Sequence, residues 1–386
     1  MSGLLYALLN FFVFTIPWEN ISVIPKVGTI SKLIGIILMA VYLVEVKKRQ
    51  TLTRPNGVIV MMFLFVFWSG LSILWSINIG LTYDRLLTDI QLLCMVWMIF
   101  DLADSDMLQK NLMQAYVLGA YVSVISTLKN FAVGQNVVYN RYAASGFDPN
   151  DLGVMIALAI PLAIYLTAHG RPKIFKALNV LFIPIGSIAI LMTASRTAAV
   201  VAAVALIYVL VGIKMKKTTR MVLLALLGVG GLFAIRFLPS NIFFRLATIT
   251  SEMTTGTLND RTILWMSGLS YFVEHPLLGV GAGAFRTAMF ERLGYSAVAH
   301  NSYISILVET GIVGIILMSF IIGSLFYRIC WGLDKHRMVF FLLIMILLGI
   351  FMLSWEYRKP TWFILALVLS TLHIRGEPLS RADSAK

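Results

Sequence analysis

"NSYISILVETGIVGIILMSFIIGSLFY", residues 301–327, carries a single charged side chain, Glu309. An α-helix rises 1.5 Å per residue, so about 20 apolar residues cross the roughly 30 Å hydrocarbon core of a bilayer. A run of this length and composition reads as a transmembrane helix. Glu309, inside it, should face protein or water rather than lipid, because an unpaired charge at membrane depth is costly.

The rest of the chain repeats the pattern. Of its 386 residues 59% are hydrophobic and 13% charged, and the mean hydropathy is +0.87. A soluble domain carries about twice that share of charge. Apolar runs near 3–17, 28–46, 57–76, 84–101, 112–133, 152–168, 174–193, 197–213, 220–238, 301–327, 337–354 and 360–374 predict an all-α integral membrane protein of about twelve helices. The first run lacks a basic n-region and an A-x-A site, so it reads as a retained helix and not a removed signal. Cys94 and Cys330 fall in separate runs, which argues against a disulfide framework or a metal site.

The formal charge is +13. Basic residues beside membrane spans mark topology and anionic lipid, which explains that charge better than nucleic acid. Lys47, Lys48, Arg49 and Arg54 follow the second run; Arg171, Lys173 and Lys176 surround the loop after the sixth; Lys214, Lys216, Lys217 and Arg220 follow the eighth. Arg328, Lys335 and Arg337 follow the tenth. All are even-numbered loops, so they share one side, expected to be the cytoplasm together with both termini. The expected organisation is helices over 1–238, a periplasmic loop over 239–300, three further helices over 301–374 and a cytoplasmic tail over 375–386.

The outward loops hold the unusual polar residues. Within 239–300, "NDRTILWMSGLSYFVEHP" reads as a helix capped by Asn259 or Asp260, with Ile263, Trp265, Met266, Leu269, Phe272 and Val273 on a broad apolar face. Too polar to span, it should lie on the outer interface. "GVGAG", Gly279 to Gly283, lacks the context of a phosphate loop and reads as a flexible turn. The seventh and eighth runs meet in a tight hairpin, "TASRTAA", carrying Arg196 with no acidic residue nearby in sequence. Arg196, Arg141 and Arg261 read either as contacts to solvent and lipid phosphate or as anion ligands, since guanidinium grips phosphate oxygens with two parallel bonds. His300 reads either as a cap or core histidine or as a neutral base at the mouth of the tenth run. Asp148 and Asp151, in "GFDPND", read as caps or as sugar contacts. Asp84, Arg85 and Asp89 should pair with one another. Trp18, Trp75, Trp265 and Trp355 sit where an interfacial belt is expected. No cluster has metal-ligand spacing, so a pyrophosphate would have to be met by arginines.

"NDRTILWMSGLSYFVEHPLLGVGAGAF" followed by "AHNSYISILVETGIVGI" resembles the signature region of the O-antigen ligase and Wzy-type polymerase superfamily. "SGFDPND" and "ASRTA" add to the likeness, while the N-terminal third shares only the layout. The resemblance implies a metal-independent, GT-C-like glycosyltransferase without a cofactor. His300 corresponds to the histidine used in catalysis, and Arg261 and Arg196 to arginines that meet the donor pyrophosphate. We assign Arg141, Asp148, Asn150, Asn301 and Arg245 to substrate binding. The implied donor is a glycan on undecaprenyl pyrophosphate. The acceptor is lipid A–core oligosaccharide for a ligase or another lipid-linked repeat for a polymerase. Membrane lipids are the other partners, and a monomer is expected. A flippase is the rival class, but such transporters show two related halves with polar groups near the midplane. Here no halves are visible, and the unusual polar residues collect on one side.

The loop charges make the orientation testable. In a chain stripped of Cys94 and Cys330, an impermeant maleimide applied to intact spheroplasts should label Ser251→Cys and spare Thr218→Cys. The reverse pattern would invert the assignment.

Overall fold

The computed structural model describes residues 3–25, 28–137, 141–249, 251 and 261–374. Its helices are α1 (Gly3–Thr15), α2 (Ile30–Arg49), α3 (Gly57–Leu71), α4 (Ile79–Leu102), α5 (Asp106–Ala132), α6 (Pro149–Ala168), α7 (Lys173–Met192), α8 (Arg196–Ile207) and α9 (Lys217–Phe237). There follow α10 (Ser240–Ala247), α11 (Arg261–Glu274), α12 (Phe285–Leu293), α13 (Ser302–Trp331), α14 (Leu333–Met352) and α15 (Lys359–Ile374). Val23–Ile24 and Gly28–Thr29 form a small antiparallel pair. Among the described residues seven helices are long and apolar enough to cross a membrane: α1 with its 3-10 extension to Ile21, α3, α5, α6, α7, α9 and α13. The shorter apolar helices are α8, continued to Gly212, the Arg337–Met352 part of α14, and α15. α2 and α4 occupy the remaining expected spans. The protein is an all-α membrane protein.

Backbone groups inside a bilayer have no water to turn to, so helix ends need internal partners. Side chains of Asn56, Asn78, Ser105, Asp148, Ser195 and Asn301 accept from the first free N–H groups of α3, α4, α5, α6, α8 and α13. Around the central helix, α6, stand α5, α7, α8 and α14. Nearly every α6 side chain is buried, and Gly153 lets α8 approach so closely that an added Cβ would lie 2.5 Å from that of Ala198.

α13 is broken at Gly311, whose φ is +66°. The carbonyls exposed by the break are taken by other segments. Val308 and Glu309 accept from the N–H groups of Val280 and Gly281, each at 2.9 Å. Thr310 accepts from the Trp68 indole at 2.9 Å, and Ile312 N–H donates to Pro276 at 2.9 Å. The "GVGAG" stretch is therefore a wedge packed into a broken helix, not the flexible turn expected from its glycines. Gly279, Gly281 and Gly283 all have positive φ, and an added Cβ would meet backbone or side-chain atoms at 2.3–2.8 Å.

α11 buries Leu264, Gly268 and Tyr271, which pack with Phe285, Met289 and Val308 in a second core. Ile263, Met266, Leu269 and Val273 stay exposed along its other side, a stripe suited to lipid. The expected caps Asn259 and Asp260 lie outside the described residues.

Two further expectations are corrected. Trp355 is not an interfacial belt residue: it is buried, and its indole donates to Asp151 Oδ1 at 2.8 Å. Arg85 is attracted by Asp89 in its own helix, as expected, but makes its direct ion pairs elsewhere. It reaches Glu309 Oε2 at 3.4 Å and Glu356 Oε1 at 3.6 Å, and its guanidinium lies 3.7 Å from the Tyr357 ring centroid. Three chain segments meet there, and desolvated carboxylates compete better for the cation than the exposed Asp84. Glu309 faces protein, as expected.

The wedge should be intolerant of side chains. In Gly311→Ala the Cβ would stand 2.2 Å from the Leu277 carbonyl oxygen, and backbone strain adds about 1–3 kcal/mol. Thermal unfolding in detergent should drop clearly for Gly311→Ala. Gly323→Ala, with no atom within 4 Å of the new Cβ, should melt as the parent does.

Candidate functional site

At the end of the bundle where α5 gives way to α6 and α7 to α8, four arginines from separate segments converge. Arg141 lies in the stretch before α6, Arg196 opens α8, Arg245 sits in α10 and Arg261 opens α11. Their electrostatic coupling shows the convergence. Burial lowers the Arg141 guanidinium from its ordinary value, and Arg245, Arg261 and Arg196 lower it further while Asp148 opposes them. Arg261 is lowered in the same way by burial, Arg196 and Arg245, again against Asp148. A guanidinium keeps its charge at neutral pH through such shifts, so the assembly is a fixed cationic cluster with Asp148 as counter-charge.

Arg141, Arg245 and Arg261 are held by backbone and side-chain groups that the fold supplies. Arg141 is buried; its Nε donates to the Thr193 carbonyl and a terminal nitrogen to Asn150 Oδ1, both at 2.8 Å. The hairpin between α7 and α8 is as tight as expected. Ala194 takes a left-handed φ of +45°, and its carbonyl accepts from Arg245 Nε at 3.2 Å. Ser195 caps α8 through the Ala198 N–H, which places Arg196 in its first turn. Arg261 donates to the Met352 carbonyl at 3.0 Å, tying the start of α11 to the end of α14. Asn150 thus acts through Arg141. Asp148 Oδ1 accepts from the N–H groups of Asn150 and Asp151, capping α6 while the residue stays exposed to the cluster.

His300 stands just outside α13. The cap of that helix is Asn301, whose Oδ1 accepts from the N–H groups of Tyr303 at 3.0 Å and Ile304 at 3.2 Å. His300 itself has a left-handed φ of +49°, unfavourable for a residue with a Cβ. The Trp265 indole anchors the preceding carbonyl, Ala299, at 2.9 Å. Burial first, then Arg261 and Arg286, hold the imidazole below its usual pKa, with Asp148 pulling the other way. A half-buried neutral ring beside fixed cations is suited to accept a proton.

The structure brings Arg141, Asp148, Arg196, Arg245, Arg261 and His300 into one electrostatic group, while Asn150 and Asn301 position its members. Sequence reading missed the "SWEYRK" segment, 354–359. Ser302 Oγ donates to the Leu353 carbonyl and accepts from the Trp355 N–H, both at 2.8 Å. Arg358 pairs with Asp151 at 3.5 Å, and Glu356 accepts from Ser305 at 2.8 Å. The available signal was an acid, two bases and two aromatic residues crowded into a loop between apolar runs.

Residues 180–319 match the family model described as O-antigen ligase. That segment contains Arg196, Arg245, Arg261, His300, Asn301 and Glu309; Arg141, Asp148, Asn150 and Glu356 lie outside it. An aligned stretch of 84 residues is 32% identical to the exopolysaccharide production protein ExoQ of Rhizobium meliloti (strain 1021), covering 18% of this chain and 19% of that protein. The resemblance to the O-antigen ligase superfamily is borne out by these matches.

The strain at His300 separates stability from chemistry. A left-handed conformation costs about 1–2 kcal/mol with a Cβ, whereas glycine's extra freedom costs roughly 0.5–1 kcal/mol. His300→Gly should therefore melt at or above the parent temperature. Asn301→Ala, which removes the cap, should lose about 0.5–2 kcal/mol. A His300→Gly protein melting well below the parent would show that the ring serves the fold.

Proposed function

We propose that the protein is a glycosyltransferase acting as an O-antigen ligase at the periplasmic face of the bacterial inner membrane. It moves a glycan from undecaprenyl pyrophosphate to lipid A–core oligosaccharide. The observation that carries this reading is the meeting of four arginines and one histidine, drawn from five segments, at a single end of a membrane bundle. A pyrophosphate leaving group needs positive charge where negative charge develops, and preorganised guanidinium groups supply it without reorganising.

In the proposed reaction an acceptor hydroxyl oxygen attacks the anomeric carbon. The bond from that carbon to the pyrophosphate oxygen breaks, and its electron pair leaves with the pyrophosphate beside Arg141, Arg196 and Arg261. The hydroxyl proton passes to the His300 ring, which returns it to water after transfer. One displacement of this kind inverts the anomeric centre. The arginines take the place of a divalent ion, so activity should survive EDTA.

A second reading, a polymerase joining lipid-linked repeats, is favoured by the match to a protein named for exopolysaccharide production. Deleting the gene distinguishes them on a lipopolysaccharide gel: a lost ligase leaves bare core, and a lost polymerase leaves core bearing one repeat. A flippase would make no glycosidic bond from purified donor and acceptor.

His300→Ala should reduce turnover by roughly 10²–10⁴-fold, the usual worth of general-base help, while still binding donor. Arg196→Ala and Arg261→Ala should weaken donor binding as well, and lysine at either site should rescue only in part. The base must be neutral and its pKa is held down, so activity should be level near pH 7. It should fall only with acidification below the usual histidine range, as the imidazole takes up a proton. Near-normal turnover of folded His300→Ala would remove the base from this scheme.

A further inference from the structure

Behind the His300 segment lies a cavity of about 270 Å³ that the arginine cluster does not line. Val298 and Ala299, the residues leading into His300, form one wall, and Arg286 stands at its edge. Arg261, Asp148 and Arg286 all act electrostatically on His300; of these Arg286 also lines the cavity, and His300 itself does not. Another part of the lining is the half-buried Arg85 with the buried Ser305, Glu309 and Glu356.

That part of the lining contains an unsatisfied carboxylate oxygen lying just beneath its surface. Glu356 is 5% exposed; its Oε1 accepts from Ser305 and faces Arg85, but its Oε2 is buried and accepts no hydrogen bond from the described residues. A buried carboxylate oxygen in this state lacks a donor worth on the order of 1–3 kcal/mol. Three carboxylates, Asp84, Glu309 and Glu356, against two guanidinium groups, Arg85 and Arg286, disfavour a phosphate here. Hydroxyl groups suit the wall: they donate to Glu356 and accept from Arg85, and Leu81, Phe285 and Val298 offer apolar surface to C–H faces. The volume is just below the range of about 300–1,000 Å³ usual for small-molecule sites, enough for a single ring but not an oligosaccharide.

The cavity also borders an apolar groove of about 650 Å³ along α2 and α4, with which it shares Asp84, Thr88 and Tyr357. Ile36, Met39, Leu87, Ile90 and Met95 line that groove. A polar chamber opening onto an apolar groove between membrane helices matches a molecule that is sugar at one end and lipid at the other.

We propose that this cavity seats the reacting sugar ring of a lipid-borne acceptor, with Glu356, Arg85 and Ser305 binding its hydroxyls and presenting one of them to His300. The assignment of the cavity to the acceptor rests on the transfer reaction proposed above. In an inverting displacement the attacking hydroxyl approaches opposite the leaving group, and the leaving group belongs to the arginine side.

The test uses the full-length protein in nanodiscs, with Glu356→Gln and the cavity-filling Val298→Phe. Both should raise KM for the acceptor by about tenfold or more, leave KM for the lipid pyrophosphate donor within twofold, and melt near the parent temperature. Direct titration of His300→Ala protein with delipidated core oligosaccharide, and with a delipidated repeat-unit glycan, reads binding apart from turnover. One of them should bind, and adding Val298→Phe should abolish that binding. Unchanged acceptor KM in both variants, or binding of neither glycan, would overturn the inference. A matching rise in donor KM would also overturn it, by giving the cavity to the donor sugar. A parent protein that binds glycan through this cavity yet transfers nothing would instead overturn the transfer reading.

Discussion

The break in α13 is the constraint on which the functional end of the molecule depends. A left-handed glycine in the middle of a membrane helix exposes carbonyls that lipid cannot satisfy. Here Val280, Gly281 and the Trp68 indole satisfy them, while Ile312 N–H finds the Pro276 carbonyl. These bonds bring the segment between α11 and α12 against α13 and α3. The same break sets Glu309 where its carboxylate accepts from the Phe285 N–H at 3.3 Å, at the start of α12, and pairs with Arg85 of α4. Proline and glycine before α12 are thus geometric requirements of the helix they fill. The segment 298–301, with His300, is suspended between this packed region and the Trp265 anchor.

On this framework the charges are sorted by sign. Positive charge dominates at Arg141, Arg196, Arg245 and Arg261, with Asp148 the acid that couples to them. Negative charge dominates at Asp89, Glu309 and Glu356, around the half-buried Arg85. The 353–358 loop separates the two regions. Trp355 and Arg358 turn toward Asp151 beside the cationic side, and Glu356 and Tyr357 turn the other way. Two chemically different environments thus adjoin one titratable ring.

What the sequence revealed follows from the range of the interactions. The helices were legible because a bilayer makes apolar length a local property, and the twelve expected runs coincide with helices. The α7–α8 hairpin and the Asp148 cap were legible because caps and tight turns are also local. His300, Arg261 and Arg196 stood out through the resemblance and their place in outward loops. Arg85 was misread in part: Asp89 attracts it as expected, but its direct ion-pair partners lie more than 200 positions away in the chain, at Glu309 and Glu356. Trp355 looked like a belt residue because it ends an apolar run; its buried position appears only once α6 is packed beside it. The glycines of 279–283 suggested freedom where close approach had required them.

The burial of α6 bears on the order in which the molecule is made. In the finished fold α5, α7, α8 and α14 surround it, yet during synthesis it emerges before three of those four. Until they arrive, its faces must be tolerable to lipid or to the insertion machinery. Its sequence meets that condition: from Leu152 to Ala163 it carries no charged or amide side chain on any face. The polar anchors, Asp148, Asn150 and Asp151, are confined to its first turn, where headgroups and water remain within reach. A helix that ends as the axis of the bundle is therefore written as one able to wait alone in the membrane.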